Sequence, residues 1–386
     1  MDRGIQGSLR LQNTPPERFR AFVPVDLPPH PPLVRSQALE LALSRADQML
    51  GRLDGISRVL PSVELLLYFY TRKEAVLSSQ IEGTQTTFSE YLFFEMSAAN
   101  AANADDIREV SNYVAAMQHG LKRMREGFPL SLRLLREIHA ELLKSGRGSE
   151  KGPGEFRTKQ NWLGGSRPGN ALYVPPPQVE MNEALHAFER FLHEDAKNFP
   201  VLVQAALLHV QFETIHPFQD GNGRLGRLLI TLLLVERGVL IQPLLYLSLY
   251  LKQNRDEYFE HLQSVRMDGQ WEEWVAFFLE AVAKTAERAV QLAHDILQMV
   301  EADRKKITAA GKREAATQKV FEALQRSPYI TTGEASRLAR VSFPTAQVGL
   351  QTLEGLGLLQ EITGNVRGKI YLYTEYVRLL NEGTDL

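Results

Sequence analysis

Residues 200–238 read PVLVQAALLHVQFETIHPFQDGNGRLGRLLITLLLVERG, and the way this stretch divides decides how the chain folds. Its first part is apolar and carries Ala-Ala-Leu-Leu, the pattern of a buried helix. Its last part is the apolar run Leu228 to Val235, which Glu236, Arg237 and Gly238 close. Between them stand twelve residues of another kind, His216 to Arg227. Pro217 and the glycines break the first helix, and a second begins at about Arg224. GNGRLG matches the spacing of a dinucleotide fingerprint, but that fingerprint follows a strand, and here a helix precedes it. A bare glycine turn would leave the upstream His216 and the two downstream arginines unexplained. The sequence has no Walker-type lysine loop and no His-Glu-x-x-His run.

Taken singly, these residues form a set. His216 can exchange a proton near neutral pH. Phe218 is an apolar anchor. Asp220 is a hard oxygen ligand suited to magnesium beside phosphates. Gly221, Asn222 and Gly223 leave backbone N–H groups uncovered at a helix start, where anions bind. Arg224 and Arg227 are three apart and share a face of the first turn, so their guanidinium forks can hold further phosphate groups. A base, a metal ligand, an amide nest and two cationic clamps equip the segment for chemistry on a nucleoside triphosphate.

Outward from this centre the chain is mainly helical. Residues from about Gln37 to Gly146 repeat apolar positions at three-to-four spacing, and so do residues 180–299. The first 35 residues are proline-rich and predict an extended arm. Residues 151–178 are dense in glycine and proline, with the short strand-like run ALYV, and predict a loop carrying a small hairpin. From Thr308 onward the pattern is three helices followed by two strands around a turn, that of a winged helix. Thr331 or Thr332, with Glu334, caps the second of these helices. The charged stretch Glu301 to Arg313 is the expected connector.

Composition narrows the possibilities. The 386 residues are 44% hydrophobic and 23% charged, which supports folded cores in two or three domains. Lys+Arg 44 against Asp+Glu 46 leaves a net charge of -2, so the surface as a whole is not built for nucleic acid. With no cysteine, thiolate zinc sites, disulfides and cysteine nucleophiles are excluded. No targeting segment or membrane span is legible, and a soluble cytoplasmic protein is expected.

HPFQDGNGRLGR is similar to the signature of the Fic family, His-Pro-Phe-x-Asp/Glu-Gly-Asn-Gly/Lys-Arg-x-x-Arg, at every fixed position. The resemblance covers about residues 70–285. It implies an all-α Fic fold with a β-hairpin flap, and a protein adenylyltransferase (nucleotidyltransferase) that moves AMP from ATP to a Ser, Thr or Tyr hydroxyl of a target protein or of itself. By the resemblance, His216 is the catalytic base and Asp220 binds Mg²⁺. Phe218, Gly221, Asn222 and Gly223 shape the ATP site, and Arg224 and Arg227 grip the phosphate tail. Relatives using other donors often carry lysine at the position of Gly223, so glycine favours adenylyl transfer.

Ser78, Glu82 and Gly83 fit the family's autoinhibitory motif, Ser/Thr-x-x-x-Glu-Gly/Asn, on a helix over about 70–84. The resemblance places Glu82 against Arg227, in competition with the γ-phosphate. It offers Tyr173 and Val174 as a target-docking flap. Tyr258 is either a contact to adenine or a core residue, and His139 and His209 are read as core residues. The implied division is 1–110 for arm and inhibitory region, 111–300 for the catalytic core and 308–386 for the winged helix. The expected recognition helix, Ser342 to Gly355, has no Lys or Arg, which weakens DNA as its partner; Arg337, Arg340, Arg367 and Lys369 only flank it. Removal of AMP by the same site, a nucleotide-sensing DNA-binding regulator, and a homodimer burying the inhibitory helix stay open.

Overall fold

A computed structural model describes residues 3–14, 17–57, 63–97, 104–311 and 314–382. The expected all-α core is present. Its centre is the helix–loop–helix read from residues 200–238.

The chain opens with two antiparallel strands, β1 (Gly7–Thr14) and β2 (Glu17–Pro24), in register from Gly7 opposite Pro24 to Thr14 opposite Glu17. The proline-rich arm is therefore partly a hairpin, a correction to the extended reading. Alternation of apolar and charged residues along ERFRAFV sends Phe19 and Ala21 inward and suits a strand with one buried face. Pro15 and Pro16 lie outside the described residues. The arm is fixed to the body: Arg3 pairs with Glu272 at 2.5 and 2.7 Å, and Gln6 accepts from the Trp271 indole.

Helices follow: α1 (Gln37–Ser57), α2 (Val63–Ile81), α3 (Phe88–Ser97), α4 (Ala104–Arg125) and α5 (Leu132–Leu142). The glycine- and proline-rich segment comes next. It forms one isolated bridge, Leu163 opposite Tyr173, and a short 3₁₀ turn at Pro168–Asn170, not the hairpin strands expected, because proline and glycine density prevents a continued ladder. Then come α6 (Gln178–His193), α7 (Val201–Ile215), α8 (Asn222–Glu236), α9 (Ser248–Gln253), α10 (Arg255–Asp268) and α11 (Trp271–Ala309).

Every residue of α7 from Leu202 to Ile215 is buried, as is α8 from Arg224 to Leu234. A helix apolar on all sides has to be surrounded; these two pack together at the centre, with α2, α4, α5, α10 and α11 around them.

The stretch expected as connector, Glu301 to Arg313, is helical as far as Ala309. α11 has no glycine or proline between Trp271 and Ala309, and its charged end consists of good helix formers with ion pairs at helical spacing, such as Lys305 with Glu301 and Lys306 with Asp303. It runs unbroken through the predicted boundary, and the Asp303 carboxylate accepts from Tyr373 at 2.7 Å. Residues 312 and 313 lie outside the described residues.

The last part is α12 (Glu314–Leu324), β3 (Tyr329–Thr331), α13 (Thr332–Ala339), α14 (Phe343–Gly355), β4 (Leu359–Glu361), β5 (Ile370–Tyr373) and α15 (Thr374–Asn381). Its antiparallel sheet has the order β3-β5-β4. The expected Thr331–Glu334 capping box starts α13, and Ser342 caps α14. Strand β3 and helix α15 were not read from the sequence. α15 returns to α2, where Tyr376 stacks edge-on against Phe69 and Lys73 donates to the Leu380 and Glu382 carbonyls.

Candidate active site

Helix α7 stops because Pro217 disfavours a helical conformation at the residue before it. His216 takes the left-handed conformation instead, at φ 49° and ψ 60°, while its N–H still donates to the Phe212 carbonyl. A non-glycine residue held there marks a place where the surroundings dictate the backbone. Two buried guanidinium groups supply that restraint. Arg157 donates to the carbonyls of His216 (2.9 Å) and Pro176 (2.5 Å), and Arg266 to the Thr214 hydroxyl (3.1 Å) and the Glu213 carbonyl (3.3 Å).

The imidazole itself is nearly buried, with 12% of its side chain exposed. Burial, then the charges of Arg157 and Arg266, pushes its pKa down to about 3, so the ring is neutral at pH 7. Nδ1 lies 3.4 Å from the Glu213 carbonyl, which places the ring proton there and leaves Nε2 as the free basic nitrogen.

The loop after His216 is held by its own residues. Phe218 is fully buried and stacks on His139 with ring centres 3.8 Å apart. The Asn222 amide accepts from the Phe218 N–H and donates to the Phe218 carbonyl, both at 2.8 Å, and Asn161 donates to the same carbonyl at 2.9 Å. Asn222 is thus a staple for the loop. Asn222→Ala leaves the buried Phe218 N–H without a partner and is expected to cost about 1–3 kcal/mol; a thermal melt unchanged from the parent would remove this role.

His139 is buried as expected but has a task at the site. Its Nδ1 accepts from the Gly154 N–H, and its Nε2 donates to the Asp220 carbonyl, each at 2.9 Å. Burial lowers its pKa to about 4, which keeps this neutral tautomer.

Helix α8 begins at Gly221, whose φ of 77° glycine accommodates without strain, and no side chain caps the helix. Its first-turn N–H groups therefore have no partner within the helix. The Asp220 carboxylate stands at this end: Oδ1 accepts from the Gly221 N–H at 2.6 Å and lies 3.5 Å from Arg224. About a third of the side chain is exposed. A single carboxylate beside a phosphate nest suits Mg²⁺, which keeps most of its ligands as water and substrate oxygen. No cluster of three metal-ligating side chains occurs among the described residues, so the site fits an ion carried in with a triphosphate.

Arg227 is 2% exposed and donates to the Ser78 hydroxyl (2.8 Å), the Ser78 carbonyl (2.9 Å) and the Glu82 carboxylate (2.7 Å). Burial alone would raise the Glu82 pKa, but Arg227 outweighs it and holds the carboxyl below its usual range. The same carboxylate lies over Gly223, where any Cβ would collide with it. Gly83, with φ 101°, ends the motif. Glu82 and Arg227, 145 positions apart, thus meet at the α8 N-terminus.

The surroundings of Arg224, Tyr258, Tyr173 and Val174 bear on the roles expected of them. Arg224 is 2% exposed and pairs with Glu109 of α4 at 2.9 Å, but Glu109 also meets Arg147 at 2.9 Å, so two guanidinium groups share one carboxylate, and the Arg224 Nε has no hydrogen-bond partner among the described residues. Tyr258 takes the core alternative: it is fully buried and donates to His209 Nε2 at 2.8 Å, and His209 Nδ1 donates to the Gly226 carbonyl. Its neighbour Phe259 is the exposed aromatic, under the Arg255 guanidinium. The side chains of Tyr173 and Val174 also face inward. The Tyr173 hydroxyl donates to the Thr214 carbonyl at 2.6 Å, and the Val174 carbonyl accepts from Phe22 of β2 at 2.8 Å. The exposed apolar groups of this segment are Trp162 and Leu172.

Sequence reasoning missed Arg157, Arg266, Glu109 and Glu213. They sit on separate elements, and no local pattern distinguishes them from surface charges.

A loop between two buried helices, presenting a neutral imidazole and an uncapped helix start, defines the class. Residues 41–122 match the Fic/DOC family N-terminal model and residues 129–234 the Fic/DOC family model. The chain thus carries a Fic/DOC family N-terminal domain and a Fic/DOC family domain. It is 27% identical over 243 residues to "Protein adenylyltransferase Fic" of Drosophila yakuba, covering 62% of this chain and 46% of that protein. The protein of the same name from Aedes aegypti is 30% identical over 195 residues, covering 49% of this chain and 35% of the other. The chain thus spans less than half the length of these relatives. A crystal structure of a Fic family protein from Desulfovibrio desulfuricans G20 superposes with a TM-score of 0.58 at 20% identity, over 89% of this chain and 98% of that one, which shows the fold.

Proposed function

We propose that the protein is a protein adenylyltransferase that moves AMP from ATP to the hydroxyl of a Ser, Thr or Tyr side chain, on another protein or on itself, with release of pyrophosphate. The observation that carries this reading is the free Nε2 of His216 beside the uncapped start of α8, with Arg227 on the same turn. The names of the curated relatives point the same way.

In this reading Nε2 takes the proton of the target hydroxyl as its oxygen attacks the α-phosphorus. The amides at the start of α8 receive the phosphate oxygens, and Arg227 the terminal phosphate. Asp220 would hold Mg²⁺, which neutralises phosphate charge. Arg224, tied to Glu109, shapes the nest more than it reaches out. Glu82 keeps the enzyme partly off by occupying Arg227. Incubation with ATP labelled in the adenosine part, followed by mass spectrometry, tests the reading. An AMP adduct on a hydroxyl side chain is expected, and no adduct in either the parent or Glu82→Gly would end it.

The Glu82 carboxylate at the phosphate nest also supports a second reading, in which it serves as a base for water and the site removes AMP. A pre-modified target separates the two, since Glu82→Gly should then lose release.

For residues 308–386 we favour docking of a protein over DNA. The outer face of α14 presents Phe343, Pro344, Gln347, Gln351 and Glu354, without a cation. In low-salt gel shifts the full chain is expected to show no retention of duplex DNA; retention that weakens steeply with salt would favour the DNA-binding regulator.

A further inference from the structure

Glu213 lies on α7 one turn before His216 and is buried. Its Oε2 is 4.0 Å from His216 Nδ1, while its Oε1 has no hydrogen-bond partner among the described residues. The facing position on α8 is Gly226, where any Cβ would collide with Oε1. Glycine inside a helix costs about 1 kcal/mol relative to alanine, so both helices give up stability to seat this carboxyl group. Most buried carboxyl oxygens are hydrogen-bonded, so an unbonded one beside the imidazole calls for an explanation.

The charged and titratable groups around it come from every neighbouring element: His216 on its own chain segment, Arg227 on α8, Glu82 at the end of α2, and Tyr258 and Arg266 on α10. Burial raises the Glu213 carboxyl to about 7, with Arg227 and Arg266 opposing and Glu82 adding to the rise. It therefore changes charge in the range where the enzyme would work.

We propose that Glu213 is a positioning residue for His216: its backbone carbonyl holds the ring in the Nδ1–H tautomer, and its carboxylate, 4.0 Å from Nδ1, balances the positive charge that the ring gains during transfer. This rests on the adenylyl-transfer reading. In the step concerned, Nε2 takes the hydroxyl proton and the hydroxyl oxygen forms its bond to the α-phosphorus. The bond from that phosphorus to the bridging oxygen breaks, and pyrophosphate leaves with the electron pair. The imidazolium then stands beside a carboxylate on one side, offsetting Arg157 and Arg266 on the other.

The test is made in the Glu82→Gly background, where transfer is expected to be fastest. In this background the rate should rise with pH through a midpoint below about 7, because the Glu82 charge that adds to the rise of the Glu213 carboxyl is gone. Glu213→Gln should lower kcat about tenfold or more, flatten that rise, and leave KM for ATP within about twofold. An unchanged kcat and pH profile overturns the proposal. A second measurement needs no turnover: carbon-13 NMR of the Glu213 carboxyl should show a midpoint near neutrality that moves in His216→Ala. An ordinary carboxylate midpoint, or one indifferent to His216, overturns the proposal even if Glu213→Gln does not fold. If Glu82→Gly itself transfers no AMP, the transfer reading falls, while the carboxyl titration still decides whether Glu213 is coupled to the imidazole.

Discussion

Replacing His216 by alanine is expected to lower AMP transfer by about 10²- to 10⁴-fold, the usual worth of a positioned general base. Among the described residues no other basic nitrogen stands free at this place: Arg157 and Arg266 are cations bonded to carbonyls, and the rings of His139 and His209 have both nitrogens occupied. A water molecule filling the alanine site is a far weaker base than the neutral imidazole. The variant should still fold. The left-handed backbone adds little to the cost, because histidine already bears the same Cβ penalty there, and the Arg157 bonds to the loop involve backbone carbonyls that the substitution leaves in place. ATP affinity should change little, because the amide nest and Arg227 are untouched. Radiolabel incorporation and calorimetric titration with ATP, run side by side, check both halves. Equal labelling in the two proteins would remove His216 from the chemistry.

The loop from His216 to Arg227 was legible because its parts are consecutive: a turn that assembles a phosphate nest uses neighbouring residues. Ser78 and Glu82 were legible as a short pattern, but their meeting with Arg227 depends on how α2 packs against α8. Arg157, Arg266, Glu109 and Glu213 could not be read, since each is a single charge on a separate element and burial alone distinguishes it from a surface residue. Glu-Tyr-Phe at 257–259 illustrates the same gap. Two adjacent aromatics on α10 point to different sides, and only packing on Trp274 and His209 selects Tyr258 for the interior. At the chain start, proline content suggested an extended arm, while the alternation in ERFRAFV, which marks β2, was passed over. The charge of residues 301–313 does not tell a helical connector from a flexible one. In a glycine-free stretch the charges of 301–309 stabilise helix α11, and Asp303 ties it to β5.

Replacing Glu82 by glycine is expected to raise AMP transfer by about 10- to 30-fold. The carboxylate is about a third exposed, so its bond to Arg227 belongs at the low end of the roughly 1.5–3 kcal/mol of charge-assisted hydrogen bonds, and 1.4 kcal/mol is a factor of ten. ATP has to displace that bond before its terminal phosphate reaches Arg227. It also has to clear the space over Gly223, which the same carboxylate covers. Ser78 continues to orient Arg227 in the variant, so the cation stays at the nest and is released from one partner only. The pH dependence follows from the sign of the shift. The folded-state pKa of Glu82 is lowered, so the ion pair is complete above the ordinary carboxylate range and is lost only on acidification through the lowered value. The ratio of Glu82→Gly to parent activity should accordingly stay level above about pH 8, and rise toward neutrality, where loss of the Glu82 charge lets Glu213 ionise at lower pH in the variant than in the parent. Salt should lower the ratio modestly, because Arg227 is buried while its partner is about a third exposed to bulk ions. Equal incorporation by the two proteins across that range would show that the bond between Glu82 and Arg227 does not restrain ATP.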